Sequence, residues 1–418
     1  MKNIINQFKT INLDKIFFYS LILFAFTMPL SRAAISFFGI LFIVLYIIEG
    51  NFREKFLFIK NSSALKGILF FILFESLTFF YSQDQAQAVK VLQDYFFWLP
   101  VLALSYKIKK EHIQPIITSF LFGMFVSEIL AYIIFFDIYP FNGRTPDYPS
   151  PFMFHIDYSV FLAFTSILLL NRLFSKAYTN KEKFFILIFF STVTLNLMIS
   201  VGRTGQLAYL IALFVLSILH YRISFKSLFV FMSISFLLFF SAYKILPIFE
   251  NRVNMAKSDL VQLSHSNFNT SWGLRAAFWI ITYDALKENP LFGVGIGDYK
   301  LEAARIVKER VPNTINFSQA TKEWITDNHY HNQYLMILVQ SGIVGFFLMF
   351  FMFYTLFQMK IEDKEMNDLK IVFLTIFLVS FIAEPLWMKQ FTMALFVLYL
   401  GMFISQKNEQ LEHNNIRQ

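Results

Sequence analysis

The chain has 418 residues, 56% hydrophobic and only 15% charged, with 57 phenylalanines and a net charge of +8. A water-soluble protein of this length could not hide so much apolar surface, so the composition indicates a polytopic membrane protein and excludes a soluble enzyme. The absence of cysteine excludes disulfides, thiolate metal sites and cysteine nucleophiles.

Crossing the hydrocarbon takes roughly 20 apolar residues in a helix. Nine candidate spans come first, near 16–31, 33–48, 67–82, 91–106, 115–136, 152–171, 184–200, 206–220 and 226–246. The first has no convincing cleavage site and a second run follows at once, so it reads as an uncleaved anchor. Between the fifth and sixth, residues 137–151 carry Pro140, Pro146, Pro149 and Pro151 with Asn142-Gly143, which predicts irregular chain capping the bundle. Ser200-Val201-Gly202-Arg203-Thr204-Gly205 joins the seventh and eighth runs, its glycines read as letting the chain turn at the bilayer edge.

A large polar loop occupies 247–330. Thr270 or Ser271 can cap a helix running through Glu288 and stopped by Asn289-Pro290. Leu274, Phe278, Ile281 and Leu286 give it one apolar face, which suits a helix lying along the membrane surface. Gly293, Gly295 and Gly297 alternate in the next segment and permit close backbone approach to a neighbour or ligand. A second helix is expected from Tyr299 to Arg310, ended by Pro312. After Asp327-Asn328-His329-Tyr330-His331-Asn332, three more runs follow near 333–358, 370–385 and 387–405 within 331–406, and 407–418 forms a tail.

Most basic residues fall in alternate connections: Lys2, Lys9 and Lys15; Arg53 to Lys66; Lys107 to Lys110; Arg172 to Lys183; Arg222 and Lys226; Lys360 to Lys370; Lys407 and Arg417. The short loops on the other side hold only Arg32, Lys90, Arg144, Arg203 and Lys389. This bias places both termini in the cytoplasm and the large loop outside, so the basic charge is topology and not a nucleic-acid footprint.

Three residues stand out for chemistry. Arg203 is either a snorkelling helix-end arginine or a guanidinium whose planar fork grips an anionic headgroup. Arg275 either covers Trp279 one turn on or serves the same purpose. His331, at the mouth of the tenth span, is a helix-start residue or a base able to take a proton from a hydroxyl. Asp327-x-His329-x-His331 could also ligate a metal, but two histidines two apart face different ways on a helix and no further ligand completes the set. Gly342 and Gly345 suggest a small packing face. Glu384, beside Pro385 in the last outer turn, either orients a histidine or sits in water, and the second reading is preferred. Glu75 and Glu128, inside apolar runs, are expected to pair within the bundle. There is no phosphate-binding loop and no serine-hydrolase elbow.

Together these residues resemble the O-antigen ligase and polymerase superfamily of bacterial envelope glycosyltransferases. Arg203 and Leu207 meet its Arg-x-x-x-Leu pattern. Arg275, Trp279, Pro290, Gly293, Gly295 and Gly297 meet its loop signature. His331, Asn332, Gly342 and Gly345 meet its His-Asn-x9-Gly-x-x-Gly pattern. The resemblance implies an all-α, GT-C-like membrane fold of about twelve spans. It also implies inverting transfer of a glycan from undecaprenyl diphosphate to the lipid A core, at the periplasmic face of the inner membrane. Arg203 and Arg275 would bind the diphosphate and His331 would act as base. Trp279, Gly295 and Asn332 would complete the substrate-binding set, with no metal, cofactor or ATP. A polymerase and a protein O-oligosaccharyltransferase are rivals within the superfamily. The short polar tail after the last span and the small 137–151 loop favour the ligase. A transporter is the rival from another class, resting on Glu75 and Glu128, but the charged residues gather at the outer interface and no repeat is visible.

Overall fold

The computed structural model describes residues 13–221, 225–245, 247–265, 267–314 and 317–416. Lys2, Lys9, Arg222 and Arg417 of the expected inner segments lie outside the described residues. Among the described residues the secondary structure is helical throughout, with no strand.

In chain order the helices are α1 (Leu13–Thr27), α2 (Arg32–Ile48), α3 (Phe52–Asn61), α4 (Ser63–Leu77), α5 (Gln85–Phe96) and α6 (Pro100–Lys107). There follow α7 (Lys110–Phe135), α8 (His155–Phe174), α9 (Asn180–Ile199), α10 (Arg203–Tyr221), α11 (Phe225–Ile245) and α12 (Pro247–Ser264). The last are α13 (Ser271–Glu288), α14 (Tyr299–Thr314), α15 (Gln319–Asp327), α16 (Gln333–Gln358), α17 (Lys364–Ser380) and α18 (Gln390–Ile416).

Among the described residues, six helices (α7, α8, α9, α10, α16 and α4 with the turn after it) are long and apolar enough to cross a membrane. The count reaches seven if α2 and α3, bent by 114° at their break, are one span. The chain is therefore a multi-pass membrane protein, and among the described residues six to seven of the expected spans meet this test. The first run yields 15 residues of helix and the second and eleventh 17 each. The fourth run is divided into α5 and α6 by Pro100, which takes the N1 position where its missing N–H costs nothing. Hydropathy counts such short helices as crossings.

α8 is enclosed on nearly every side, with α9, α10 and α17 packed around it. Its stretches 160–164 and 167–170 are apolar on every side, as the buried middle of such a helix requires. Gly202 and Gly205 are why α10 sits so close to it. A Cβ at Gly205 would lie 2.1 Å from the Ser159 carbonyl oxygen, and the Gly205 N–H donates to Ser159 Oγ at 3.1 Å. Gly202 lies in the turn expected of it and Gly205 inside α10, and both serve this helix contact. Glu75 is buried in α4 and accepts hydrogen bonds from Ser341 of α16 and Tyr95 of α5, the pairing within the bundle that its apolar surroundings require.

The polar stretch folds into α12 to α15, of which α12 and α15 had no signal in the sequence reading. Thr270 caps α13 through the Gly273 N–H at 3.1 Å, and α13 ends at Glu288 as expected. Its apolar face, with Phe278 and Ile281 buried, packs on the protein, Phe278 stacking on Tyr330 at 4.7 Å. The exposed face is the aromatic one, with Trp272, Trp279 and Tyr283. α14 continues to Thr314 instead of stopping before Pro312. A proline there costs the helix one N–H···O=C bond, a loss confined to its last turn.

α16 is interrupted at Gly342, whose φ of 63° and ψ of −161° lie outside the helical region. The break strands backbone groups on both sides, and segment 290–295 satisfies them. The N–H groups of Val294 and Gly295 donate to the carbonyls of Val339 and Gln340, each at 2.9 Å. Those of Ile343 and Val344 donate to Pro290 and Leu291 at 2.9 and 3.1 Å. Asp298 anchors the far end of the segment, accepting from Ser82 Oγ and from the Gln83 and Asp84 N–H groups at 2.7–2.8 Å. Gly342 is thus the seat of this insertion, while Gly345 keeps the packing role expected of it, close against Glu75.

Candidate active site

A cleft of about 320 Å³ opens between the start of α10, the outer face of α13 and the start of α16. Arg203, Arg275, Trp279, His331 and Asn332 all line it, together with Trp272 and an apolar floor of Leu207, Leu263, Leu335 and Ile382. Residues separated by more than a hundred positions in sequence thus share one cavity. Gly295 is not among the lining residues. Its positive φ of 109° brings its backbone against Ser82, so the structure gives it a packing role.

Arg203 is the first residue of α10, where the helix dipole disfavours a cation and favours an anion. An anionic ligand between the guanidinium and the helix start would turn that cost into attraction. Arg275 is half-buried, and its Nη1 donates to the Ser271 carbonyl at 3.0 Å and to Ser271 Oγ at 2.7 Å. This fixes the fork one turn back along α13, rather than over Trp279. Burial pushes the Arg275 pKa down, Glu384 and Asp259 oppose that, and an arginine so placed stays a cation.

His331 sits in the short connection between α15 and α16 at a φ of +48°, a region non-glycine residues seldom occupy. Trp324 of α15 lies parallel to the imidazole, with ring centroids 5.2 Å apart and planes within 2°. On the next residue, Asn332 caps α16 by accepting from the Tyr334 and Leu335 N–H groups at 2.8 and 3.1 Å. Its amide donates to the Ile382 carbonyl at 3.0 Å. The Gln333 N–H donates to Phe381 and the Trp387 N–H to Gln333 Oε1, at 2.8 and 3.1 Å. These bonds clamp the turn after α17 against the start of α16, and the clamp places Glu384 beside His331.

The Glu384 side chain is 1% exposed, which corrects the reading that left it in water. Its Oε2 lies 2.9 Å from His331 Nδ1, and its Oε1 lies 3.3 Å from His329 Nε2 and 2.8 Å from Lys389 Nζ. Burial alone would raise its pKa, but the His331 hydrogen bond and the charges of Lys389 and the histidines bring it down to about 2. Burial also pushes His329 down to about 4, against the attraction of Glu384. With Nδ1 engaged by the carboxylate, Nε2 is the ring nitrogen of His331 left for a ligand in the cleft.

His329, His331 and Glu384 bring three potential ligand atoms within 4.8 Å of one another. The two histidines converge because the connection is not helical, so the expectation that they face apart fails, and Asp327 is not part of the group. His329 Nδ1 accepts from the His331 N–H at 3.3 Å, which leaves Nε2 to donate to Glu384. Each ring thus donates a proton to the carboxylate, and Lys389 already supplies a positive charge. A metal here would have to displace both ring protons and the ammonium, so the donor set fits a hydrogen-bonded hub better than a metal centre.

Residues 186–350 match the family model described as O-antigen ligase. This match supports membership of the O-antigen ligase and polymerase superfamily. The matched segment includes Arg203, Arg275 and His331, whereas Glu384 and Lys389 lie beyond it. The chain is also similar to an uncharacterized protein of Haemophilus influenzae, 39% identical over 98 residues, a match covering 23% of each chain. The residues that sequence reasoning missed are Trp272, Trp324 and Lys389, while His329 was considered only as a metal ligand. Lys389 was counted only as a charge in an outer loop, although an acid and a base five residues apart in so apolar a region were a legible signal.

Proposed function

We propose that this protein is an O-antigen ligase, transferring a glycan from undecaprenyl diphosphate to a sugar hydroxyl of the lipid A core at the periplasmic face of the bacterial inner membrane. The observation that carries this reading is the convergence of Arg203, Arg275 and His331 on one cleft. The two guanidiniums suit a diphosphate because each donates parallel hydrogen bonds and keeps its charge. The apolar floor suits the first isoprene units of a lipid carrier.

In the transfer step the acceptor hydroxyl gives its proton to His331 Nε2 as its oxygen attacks the anomeric carbon. The bond from that carbon to the diphosphate breaks, and the electron pair leaves with the diphosphate, whose growing charge Arg203 and Arg275 stabilise. Attack opposite the leaving group inverts the anomeric centre. Departure of the intact diphosphate as leaving group drives the reaction, so ATP is not needed, and the arginines supply the charge a metal would otherwise provide. Glu384 acts through His331 as a positioning residue, holding the tautomer with the proton on Nδ1.

The test is transfer by the purified protein from a lipid diphosphate glycan to lipid A core, in detergent with chelator and without ATP. Product from the wild type, lost by a factor of about 10²–10⁴ in His331→Ala, is expected. Elongation of the glycan on its own carrier would indicate a polymerase instead, and modification of a protein serine or threonine would indicate a protein transferase. Near-full activity in Arg203→Ala or Arg275→Ala would remove that arginine from the diphosphate site.

A further inference from the structure

The chain of charge continues past Glu384. Lys389 Nζ lies 2.8 Å from Glu384 Oε1 and 3.4 Å from Asp157 Oδ1, and the Asp157 side chain, near the start of α8, is 3% exposed. One ammonium therefore bridges two buried carboxylates, one of which holds the imidazole facing the cleft. We propose that Lys389, through Asp157 and Glu384, is a positioning residue that sets the charge state of His331 and keeps the imidazole neutral and ready to accept a proton.

The argument is one of charge balance. A buried carboxylate against an imidazole favours the imidazolium, and an imidazolium cannot act as base. Lys389 answers the negative charge of Glu384 from the other side, so that the carboxylate orients the ring without protonating it. Asp157 limits the effect in the opposite sense, because it shares the ammonium. The other charged groups around the pair are few. His329 belongs to the same connection and is neutral near pH 7, since burial brings it down to about 4. α13 contributes Arg275 and α10 contributes Arg203, both lining the cleft. The start of α2 contributes Arg32, whose charge reaches Asp157, and α15 presents the uncharged Trp324. Lys389 itself stays an ammonium: burial lowers it, but Asp157 and Glu384 raise it further.

This inference rests on the reading of His331 as base, and its test separates the two. The transfer rate is measured against pH for the reconstituted wild type, Lys389→Met, Lys389→Arg and Asp157→Asn. A base must be deprotonated, so kcat/KM rises with pH along the acidic limb. Lys389→Met should move that limb up by about one pH unit, an approximately tenfold loss at the acidic end that is recovered at alkaline pH. Asp157→Asn should move it down, and Lys389→Arg should leave it in place. A uniform loss at every pH in Lys389→Met, or shifts of the same sign in Lys389→Met and Asp157→Asn, overturns the inference while leaving the base intact. If Lys389→Met does not fold, the downward shift in Asp157→Asn decides, and its absence overturns the inference. Failure of the wild type to transfer at any pH overturns the base reading and this inference with it.

Discussion

A carboxylate with its side chain 1% exposed needs its charge answered, and Glu384 has three partners within 3.3 Å: His331, His329 and Lys389. All three are donors, so the site requires an acceptor on both oxygens. Glu384→Gln keeps the shape but turns one acceptor into an NH₂ that must face a donor. The expected result is a fall in kcat of about 10²-fold or more, because the imidazole loses its fixed tautomer while the arginines still hold the donor. Transfer kinetics beside a donor-binding measurement check this. An equal loss of both would show that Glu384 supports the whole cleft rather than His331. Arg203, Arg275 and His331 were legible in the sequence because each stands in a recognisable spacing. The burial of Glu384 was not, because it depends on Asn332 and Gln333 clamping a turn some fifty residues away, and no local pattern reports that contact.

At the scale of elements, the decisive feature is that α16 is not one helix. The apolar run 333–358 is continuous, so periodicity could only predict an unbroken span with two small residues on one face. The break follows from a partner: segment 290–295 supplies four backbone hydrogen bonds to the groups that Gly342 strands. In a bilayer those groups could not be left without partners. The same insertion ties the loop helices to the start of α16, and so α13 with its Arg275 to His331. Gly342→Ala would put a Cβ 2.5 Å from the Leu291 backbone, at a φ and ψ that side chains do not adopt. It should lower thermal stability in detergent by several degrees and reduce transfer more than tenfold, as α13 loses its register. Gly143→Ala is the control. It has a comparable φ of +66° with nothing within 4 Å, so it should cost only about 1 kcal/mol of strain and leave transfer near wild type. Equal effects in the two variants would mean that backbone strain, and not the insertion, is what Gly342 relieves.

Over the whole molecule, the charged contacts fall into two groups that the topology expected from sequence assigns to opposite faces. Lys107 with Asp14 and Glu49, Lys55 with Glu49, and Arg172 with Gln114 belong to the segments expected inside. Asp157, Lys389, Glu384, the cleft, and Gln390 with the Arg32 carbonyl belong to those expected outside. That expectation rests on the distribution of lysine and arginine along the chain, because the cost of moving a charge across the bilayer acts on sequence segments and needs no knowledge of packing. The number of full crossings was less legible, since 8 to 17 apolar residues look alike whether they cross or wedge between neighbours. The orientation can be tested around α16 alone, which even with its break at Gly342 is long and apolar enough to cross a membrane. The chain has no cysteine, so a single introduced thiol reports without background. Ala320 on α15 and Glu362 after α16 are both exposed and flank that crossing. In intact cells a membrane-impermeant maleimide should modify Ala320→Cys and spare Glu362→Cys until the membrane is permeabilised. The reverse pattern would put the cleft in the cytoplasm, where a periplasmic acceptor could not reach it, and the ligase reading would fall with the topology.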